Sequence, residues 1–323
     1  MISRIFHIFL FLLVLVFFLS SSVLAADSTK DMLAAGRVDE AIRALNGRVS
    51  SSPSDAESYN LLCRAYYALE DWDRAESACK KAVALEPTNS PYHRWLGRVY
   101  GEKASRVNFL SAASLAGKTR DEFQRAVQAD PNDPDARVDL AEYYLEAPGI
   151  VGGGQDKARA EAKLLGKISP AREHWVYARI AEKNKDFVTA EREYHTMVRE
   201  SNGDAEAWLN LGFFYRNQKR YDEMEQAFVK LSQAPMARPE VMVEAAQTLL
   251  RTGRNFPFAV ELVQHYLATG PVEEAPAFKA HYVLGTILEK QGDKTGAARE
   301  YRASLALARN FGLAQEALNR VGR

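Results

Sequence analysis

The chain has 323 residues, of which 47% are apolar and 26% are charged, and its basic and acidic side chains are equal in number. A chain with no net charge has no overall electrostatic attraction to nucleic acid or to an anionic membrane. Composition therefore argues against a nucleic-acid partner, and any partner has to be inferred from local features.

The first 26 residues predict a cleavable signal peptide. Arg4 precedes an apolar run from Ile5 to Leu19, and small residues follow up to Ala25 and Ala26. A positive flank, an apolar centre and small residues at a cleavage site define such leaders, so we expect cleavage after Ala25 or Ala26 and export of the mature chain. An uncleaved membrane anchor is the alternative, although a spanning helix needs about 20 apolar residues and this run is shorter.

The stretch from Ala56 to Pro87 predicts two short helices that pair as a hairpin. Apolar side chains recur at helical spacing along each half; they are Tyr59, Leu62, Cys63 and Tyr66 in the first half and Ala75, Cys79 and Ala82 in the second. This order of large and small residues resembles the tetratricopeptide repeat, a helical hairpin with a period of about 34 residues. Because so short a hairpin cannot bury its apolar face alone, similar units must stack on both sides of it.

The same resemblance extends over about eight consecutive units, approximately residues 28–55, 56–89, 90–133, 134–170, 171–204, 205–238, 239–277 and 278–310. The first unit, Met32 to Pro53, is weakened in the way that a terminal repeat is. A terminal amphipathic helix over 311–321 is expected to cap the last unit and face solvent. The resemblance implies an all-α fold for residues 27–323, a right-handed superhelix of hairpins (an α-solenoid) with a terminal capping helix.

The two cysteines, Cys63 and Cys79, lie on core faces of the second unit, and export would place them in a compartment that permits disulfides. If Cys63 faces Ala75 where the helices approach most closely, Cys79 lies about one turn, roughly 5 Å, further along. A disulfide needs Cα atoms within about 7 Å of each other, so this offset is unfavourable. The favoured interpretation is two buried free thiols that pack as small apolar residues, with oxidation as the alternative.

Two insertions fall at the turns inside the third and fourth units, Ala104 to Lys118 and Ala147 to Gln155. Because both lie between paired helices, stacking is expected to bring them to the same edge of the array. The segment PGIVGGG in the second insertion also resembles a subgroup of exported bacterial tetratricopeptide repeat proteins. Its glycines and Pro148 suit a sharp reversal, with Asp156 placed to cap the next helix. A phosphate site is disfavoured, since no Lys-Ser/Thr pair follows the glycines.

The first insertion carries four apolar side chains, Val107, Phe109, Leu110 and Leu115. One interpretation packs them on the neighbouring turn with Ile150 and Val151. The other leaves Phe109, Leu110 and Leu115 as a secondary apolar patch that docks a partner or touches a membrane. Burial of Phe109 and Leu110 would favour the first interpretation, and exposure the second.

The sequence motifs of a nucleophile elbow, a His-Glu-x-x-His zinc site and a phosphate loop do not occur in the chain. His93, His174 and His281 each take the first core position of a helix, where packing is favoured over metal binding. We therefore expect no catalysis, no metal, no cofactor and no small-molecule substrate. An enzyme with an unrecognised site is a remote alternative.

The resemblance implies a concave groove lined by the first helix of each unit. The side chains that remain there once the core face is assigned are Asn60, Arg64, Tyr67, Arg94, Arg98, Asp135, Glu142, Trp175, Arg179, Leu209, Phe213, Arg216 and Tyr282. Clustered arginines suit carboxylates, and aromatic side chains suit apolar anchors. We hypothesise that an extended or helical protein segment lies here, with an acidic group near Arg94 and Arg98 and an apolar anchor near Trp175 and Phe213. A solvated face without a partner is the alternative.

The expected function is that of a non-enzymatic scaffold or adaptor in the bacterial periplasm or cell envelope, which binds a protein or peptide in its groove. A more specific alternative is a component of an envelope assembly complex of the outer-membrane, secretion or pilus type. In that alternative the apolar insertion would hold the protein in the complex, with peripheral association with the envelope.

Overall fold

The computed structural model describes residues 29–322. The predicted signal peptide, residues 1–26, lies outside the described residues. Over the part that is described, the regular structure is helical, with one short 3-10 turn and no strand. The expected all-α fold is confirmed.

The helices form successive antiparallel pairs. In chain order they are α1 (29–34), α2 (Val38–Ser51), α3 (Ala56–Ala68), α4 (Trp72–Leu85), α5 (Ser90–Ala104), α6 (Phe109–Ala129), α7 (Pro134–Glu146), the 3-10 turn η1 (Gly149–Val151), α8 (Gln155–Leu165), α9 (Pro170–Lys183), α10 (Phe187–Glu200), α11 (Ala205–Asn217), α12 (Tyr221–Gln233), α13 (Val241–Thr252), α14 (Phe256–Thr269), α15 (Ala277–Lys290), α16 (Lys294–Leu307) and α17 (Gly312–Val321).

Short polar side chains start many of these helices, and left-handed residues close the turns within the pairs. Asp71 begins α4 by accepting the backbone N–H of Arg74, which satisfies one of the unpaired donors of the first turn. Glu70, Lys185 and Lys219 have φ near +60° in the turns before α4, α10 and α12. The chain therefore reverses within a few residues, and paired helices lie side by side.

A close contact between a glycine and an aromatic ring sets the spacing inside several pairs. A Cβ on Gly97 would lie 2.5 Å from the ring of Phe123, and one on Gly285 would lie 2.7 Å from the ring of Tyr301. A Cβ on Gly212 would lie similarly close to the ring of Phe228. The residue at the middle of the first helix thus faces this aromatic residue of the second helix, and in the eighth unit Tyr301 lies one turn beyond Ala297.

The second pair has a cysteine at each of these two facing positions. Cys63 and Cys79 form a disulfide, and their Cα atoms lie 5.1 Å apart. The interpretation of two free thiols is therefore wrong. It assumed that Cys63 faces Ala75, whereas the pairs with glycine show that its position faces the residue one turn later.

The three core histidines each pair with a carboxylate of the second helix in their own unit. Nδ1 of His93 lies 2.5 Å from Glu122, that of His174 lies 2.7 Å from Glu193, and that of His281 lies 2.8 Å from Glu300. Arg137 and Glu161 form the equivalent pair in the fourth unit. Where an aromatic residue such as Trp208 stands at the histidine position of the first helix, an alanine stands at the carboxylate position of the second helix. The histidines therefore pack inside units, as expected.

The two insertions form an edge that is more exposed than the first interpretation allowed. Instead of a loop, the first insertion lengthens α6, and Phe109, Leu110 and Ile150 are 74%, 81% and 85% exposed. The interpretation that packs them on the neighbouring turn is wrong for these three, because most of each side chain is exposed to solvent; Leu115 and Val151 are partly buried. Asp156 does not cap α8 either, since Gly154 occupies the capping position and Asp156 lies in the first turn.

The last helix closes the array against its own beginning. Phe311 is 2% exposed and stacks edge-on against Phe278, and both belong to one apolar cluster with Leu33 and Val38 of the first unit. Asp39 accepts the backbone N–H of Arg309 at 3.0 Å. The terminal helix is therefore a connection between the two ends of the array and not only a solvent-facing cap.

Candidate functional site

Closure of the array converts the expected open groove into a central cavity. Its two adjoining parts have volumes of about 680 and 830 Å³. Side chains of α3, α5, α7, α9, α11, α13 and α15 line it, together with the connections before α13 and α15. The first helix of each pair faces inward, so the concave surface of the repeats surrounds a single space.

The structure brings part of the predicted groove together and leaves part of it elsewhere. The predicted residues that line the cavity are Arg64, Tyr67, Arg94, Arg98, Asp135, Glu142 and Trp175. Those absent from its lining are Asn60, Arg179, Leu209, Phe213, Arg216 and Tyr282. Placing Asn60 and Leu209 on a binding surface was wrong, because they are only 5% and 3% exposed. Leu209 lies one position before Asn210, which lines the cavity, whereas Asn60 shares the helical phase of Arg64 and is buried within the fold.

Three other members of the predicted groove also have partners within the fold. Tyr282 packs against Tyr301 and Phe311, between α15 and its neighbours. Phe213 packs on the core, and the guanidinium of Arg216 lies 5.0 Å from the centre of its ring. The proposed apolar anchor is thus reduced to Trp175, since Phe213 does not reach the cavity.

The arginines of the cavity wall already have carboxylate partners. Asp139 accepts two bonds from Arg98, both at 3.1 Å, and a third from Nε of Arg94 at 3.2 Å. Arg238 contacts Glu206 at 2.5 Å and Glu240 at 2.8 Å. Because charge-assisted pairs of this kind satisfy the guanidinium donors, Asp139 takes the place that the hypothesis gave to an acidic group of a partner.

Three charged side chains of the cavity have no ion-pair partner among residues 29–322. They are Glu142, Glu244 and Lys279. Burial raises the pKa of Glu142, and the nearby charges of Asp139 and Glu146 raise it further. Burial likewise raises the pKa of Glu244 and lowers that of Lys279. All three shifts have the same origin, since a charge removed from bulk water without a full partner is disfavoured.

Two tryptophans provide the apolar surface of the cavity. The guanidinium groups of Arg64 and Arg98 lie over the ring of Trp95, at 4.9 and 5.3 Å from its centre. Trp175 donates its indole N–H to Asn210 at 2.9 Å, which fixes the orientation of the ring. These rings are held in place before a ligand arrives, so they offer rigid contact surfaces.

Sequence reasoning missed several lining residues. Trp95, Asp139 and Asn210 lie on the inward helical faces beside predicted positions. Assigning a wider stripe of each first helix to the groove would have included them. Arg238 and Glu274 come from the connections before α13 and α15. Their place depends on the path of irregular segments, for which the sequence carried no periodic signal.

No metal site and no membrane-spanning helix is found in residues 29–322. Groups of three or more His, Cys, Asp or Glu side chains that suit a metal ion do not occur there. No helix in this part of the chain combines the length and the apolar character needed to cross a bilayer.

Comparison with known proteins supports the repeat architecture. Family models described as tetratricopeptide repeat match residues 32–99, 205–233 and 243–310. Mouse Superkiller complex protein 3 is 25% identical over 295 residues, which cover 78% of this chain and 18% of that protein. The chain thus spans less than a fifth of the length of this relative.

Two solved structures align with most of this chain. Yeast Tom70 is 14% identical with a TM-score of 0.53, over 88% of this chain and 58% of that chain. A tetratricopeptide repeat protein from Parabacteroides merdae is 13% identical with a TM-score of 0.46, over 94% of this chain and all of that chain. At such identities the likeness concerns the fold alone.

Proposed function

This chain is a tetratricopeptide repeat protein, and from that premise we propose that it is a non-enzymatic scaffold that binds a segment of a protein partner in its central cavity. Tetratricopeptide repeat proteins generally act as scaffolds for protein interactions. The observation that carries the proposal is the cavity, because seven inward-facing helices direct polar and aromatic side chains into one central space.

The charges in the cavity favour a cationic side chain on the partner. Arg94 and Arg98 share Asp139, so they have little remaining capacity for an acidic ligand. Glu142 and Glu244 instead have no ion-pair partner within the described fold, and the arginines nearest to them, among them Arg179 and Arg238, offset their charge only in part. A lysine or arginine of the partner that reaches both carboxylates would form charge-assisted hydrogen bonds, worth about 1.5–3 kcal/mol each.

The tryptophans supply the second part of the recognition. Trp95 and Trp175 line the same part of the cavity and are held by neighbouring polar side chains. An aliphatic or aromatic side chain of the partner can pack on these rings while its neighbour in the sequence reaches the carboxylates. The expected ligand is therefore an extended or helical segment with one basic and one apolar anchor.

Affinity capture with matched variants tests this proposal. The full chain is used as bait, and captured proteins are identified by mass spectrometry and then tested as peptides by fluorescence anisotropy. Glu142→Gln and Glu244→Gln should each weaken binding by about tenfold or more, as loss of a charged hydrogen bond implies. Lys279→Gln should strengthen it, because it removes the like charge.

The control substitution is Glu86→Gln at an exposed helix end outside the cavity. This substitution should leave the set of captured proteins and the peptide affinities unchanged. Equal binding by wild type, Glu142→Gln and Glu244→Gln would contradict a role for the cavity carboxylates. Equal loss with Glu86→Gln would indicate a non-specific effect of charge.

The place of action belongs to the same proposal. A signal-peptide-like leader precedes the described residues, and the Cys63–Cys79 disulfide suits an oxidising compartment such as the periplasm. Fractionation of bacterial cells that express the full chain, combined with mass spectrometry of the mature N-terminus, tests this location. A reduced, unprocessed protein in the cytoplasm would contradict it.

A second candidate is a component of an envelope assembly complex. The observation in its favour is the exposure of Phe109 and Leu110, which leaves the secondary patch free to contact another component. Replacement of both residues by serine should release the protein from a large complex in size-exclusion chromatography of envelope extracts. Co-migration that is unchanged in this variant would count against the candidate.

A further inference from the structure

The most exposed large apolar side chains all lie on one edge of the array. Phe109, Leu110, Ile150 and Val188 are 74–85% exposed. Each lies in or directly after a turn that joins the two helices of a unit, and the units are the third, fourth and fifth in order. Soluble proteins often expose single apolar residues, but a row on consecutive units indicates a contact surface.

Hydrogen bonds between the turns show that they are neighbours. Arg120 of α6 donates to the carbonyl of Val151 at 3.3 Å, which joins the third unit to the turn of the fourth. Gln155 donates to Asn184 at 3.0 Å, which joins the fourth unit to the turn of the fifth. We call the exposed side chains of these three turns, Val107, Phe109, Leu110, Ile150, Phe187 and Val188, the turn edge.

The first insertion makes part of this edge protrude. Thr119 of α6 faces Gly101 of α5, so Ala104, the last residue of α5, lies level with about residue 116. Phe109–Leu115 therefore extends about two helical turns, roughly 10 Å, past the end of α5. Phe109 and Leu110 stand at the tip of this extension.

Once internal ion pairs are removed, the charges around the turn edge have a small positive excess. Lys118, Lys157 and Lys185 have no carboxylate partner among the described residues; Lys118 lies over Tyr100, and Lys157 donates to the carbonyl of Gly152. The nearby carboxylates are engaged: Asp121 by Arg120, Glu146 by Arg179 and Lys183, Glu102 by Arg106, and Asp186 by the backbone of α10. Asp156 and Glu70, which lies beside Val107, are exposed without an ion-pair partner among the described residues. Residues 103–120 contain four basic side chains and no acidic one, and Lys118 is the one of the four that has no carboxylate partner among the described residues.

We propose that the turn edge binds peripherally to the surface of a membrane that contains anionic phospholipid. Apolar side chains beside lysines match the boundary between acyl chains and negatively charged headgroups. The apolar residues stand on three separate turns, and those of the first insertion protrude, which suits insertion into a membrane interface. This surface is separate from the cavity, so the inference does not depend on the proposed protein ligand.

Site-specific labels on the full chain test the contact directly. Because Cys63 and Cys79 are bonded to each other, a single new cysteine can carry an environment-sensitive NBD fluorophore. Leu110→Cys, Ile150→Cys and Val188→Cys are labelled on the turn edge, and Leu85→Cys is the control at the opposite end of a hairpin. Vesicles contain either phosphatidylcholine alone or phosphatidylcholine with phosphatidylglycerol. A retained leader affects all four proteins equally.

The expected result is a shift of emission to shorter wavelength at positions 110, 150 and 188 with anionic vesicles, and none at 85. Replacing Lys118, Lys157 and Lys185 together by glutamine should weaken vesicle binding of the labelled protein, since each lysine contributes roughly fivefold. The same change at Lys81, Lys167 and Lys230, which are exposed on other faces, should have little effect.

Several outcomes would overturn the inference. Labels on the turn edge that do not respond, or that respond no more than position 85, would exclude membrane contact there. An equal shift with phosphatidylcholine alone would exclude recognition of anionic lipid. A shift that appears only when a second protein is added would assign the edge to a protein partner.

Discussion

The close contact between Gly285 and Tyr301 predicts that a methyl group will destabilise the fold at this position. A Cβ on residue 285 would lie 2.7 Å from Cε1 of Tyr301 and 3.2 Å from the carbonyl oxygen of Ala297. Carbon atoms prefer about 3.5 Å or more. The ring cannot retreat freely, because it is fully buried and its hydroxyl donates to Glu289 at 2.7 Å.

The expected change in the free energy of unfolding follows from two opposing effects of Gly285→Ala. Overpacking of a core typically costs about 1–3 kcal/mol, and the fixed ring places this site towards the upper end. Alanine in a helix interior regains about 1 kcal/mol relative to glycine. We therefore expect a net loss of about 1–2 kcal/mol in the free energy of unfolding, measured by urea denaturation monitored by circular dichroism.

Gly47→Ala provides the matched control, because Gly47 is also within a helix but a methyl group added there would have no neighbouring atom within 4 Å. It should raise the free energy of unfolding by up to about 1 kcal/mol. On a Tyr301→Phe background, which frees the ring from Glu289, Gly285→Ala should cost less. Stabilisation by Gly285→Ala comparable to that by Gly47→Ala would refute the packing argument.

Three further predictions concern the disulfide, the closure and the turns. Reduction of Cys63–Cys79, 16 residues apart, should lower the free energy of unfolding by about 3 kcal/mol; an unchanged urea midpoint in reductant would contradict this. Burial raises the pKa of Glu273 to about 7 although Arg64 lies beside it. The folded state then holds this proton more tightly, so stability should fall as pH rises from about 4.5 to 7. Glu273→Gln should flatten that part of the pH profile of the urea midpoint, and a profile identical to wild type would exclude the shift. Lys219→Gly should stabilise by about 0.5–1 kcal/mol, because φ is +58° there; a lower melting temperature would argue against strain.

The location of the binding surface was only partly predictable. Arg94, Arg98 and Trp175 were placed on the inward face because the first helix of each unit repeats with a fixed phase. The sequence could not predict that Asp139 and its neighbours neutralise the charges of Arg94 and Arg98. Ion pairs between units depend on the rotation of one hairpin relative to the next. Leu209 was misplaced for the same reason: a shift of one position moves a side chain from the cavity to the core.

The periodic placement of apolar residues determined the helical hairpins, their order and their stacking, because each hairpin has to bury a face that local contacts alone leave exposed. Only the tertiary structure decided that the ends meet. Contacts such as Phe278 with Phe311 and Asp39 with Arg309 depend on the curvature accumulated over all the units. The same accumulated geometry decided that the inner surfaces of the units surround one central cavity.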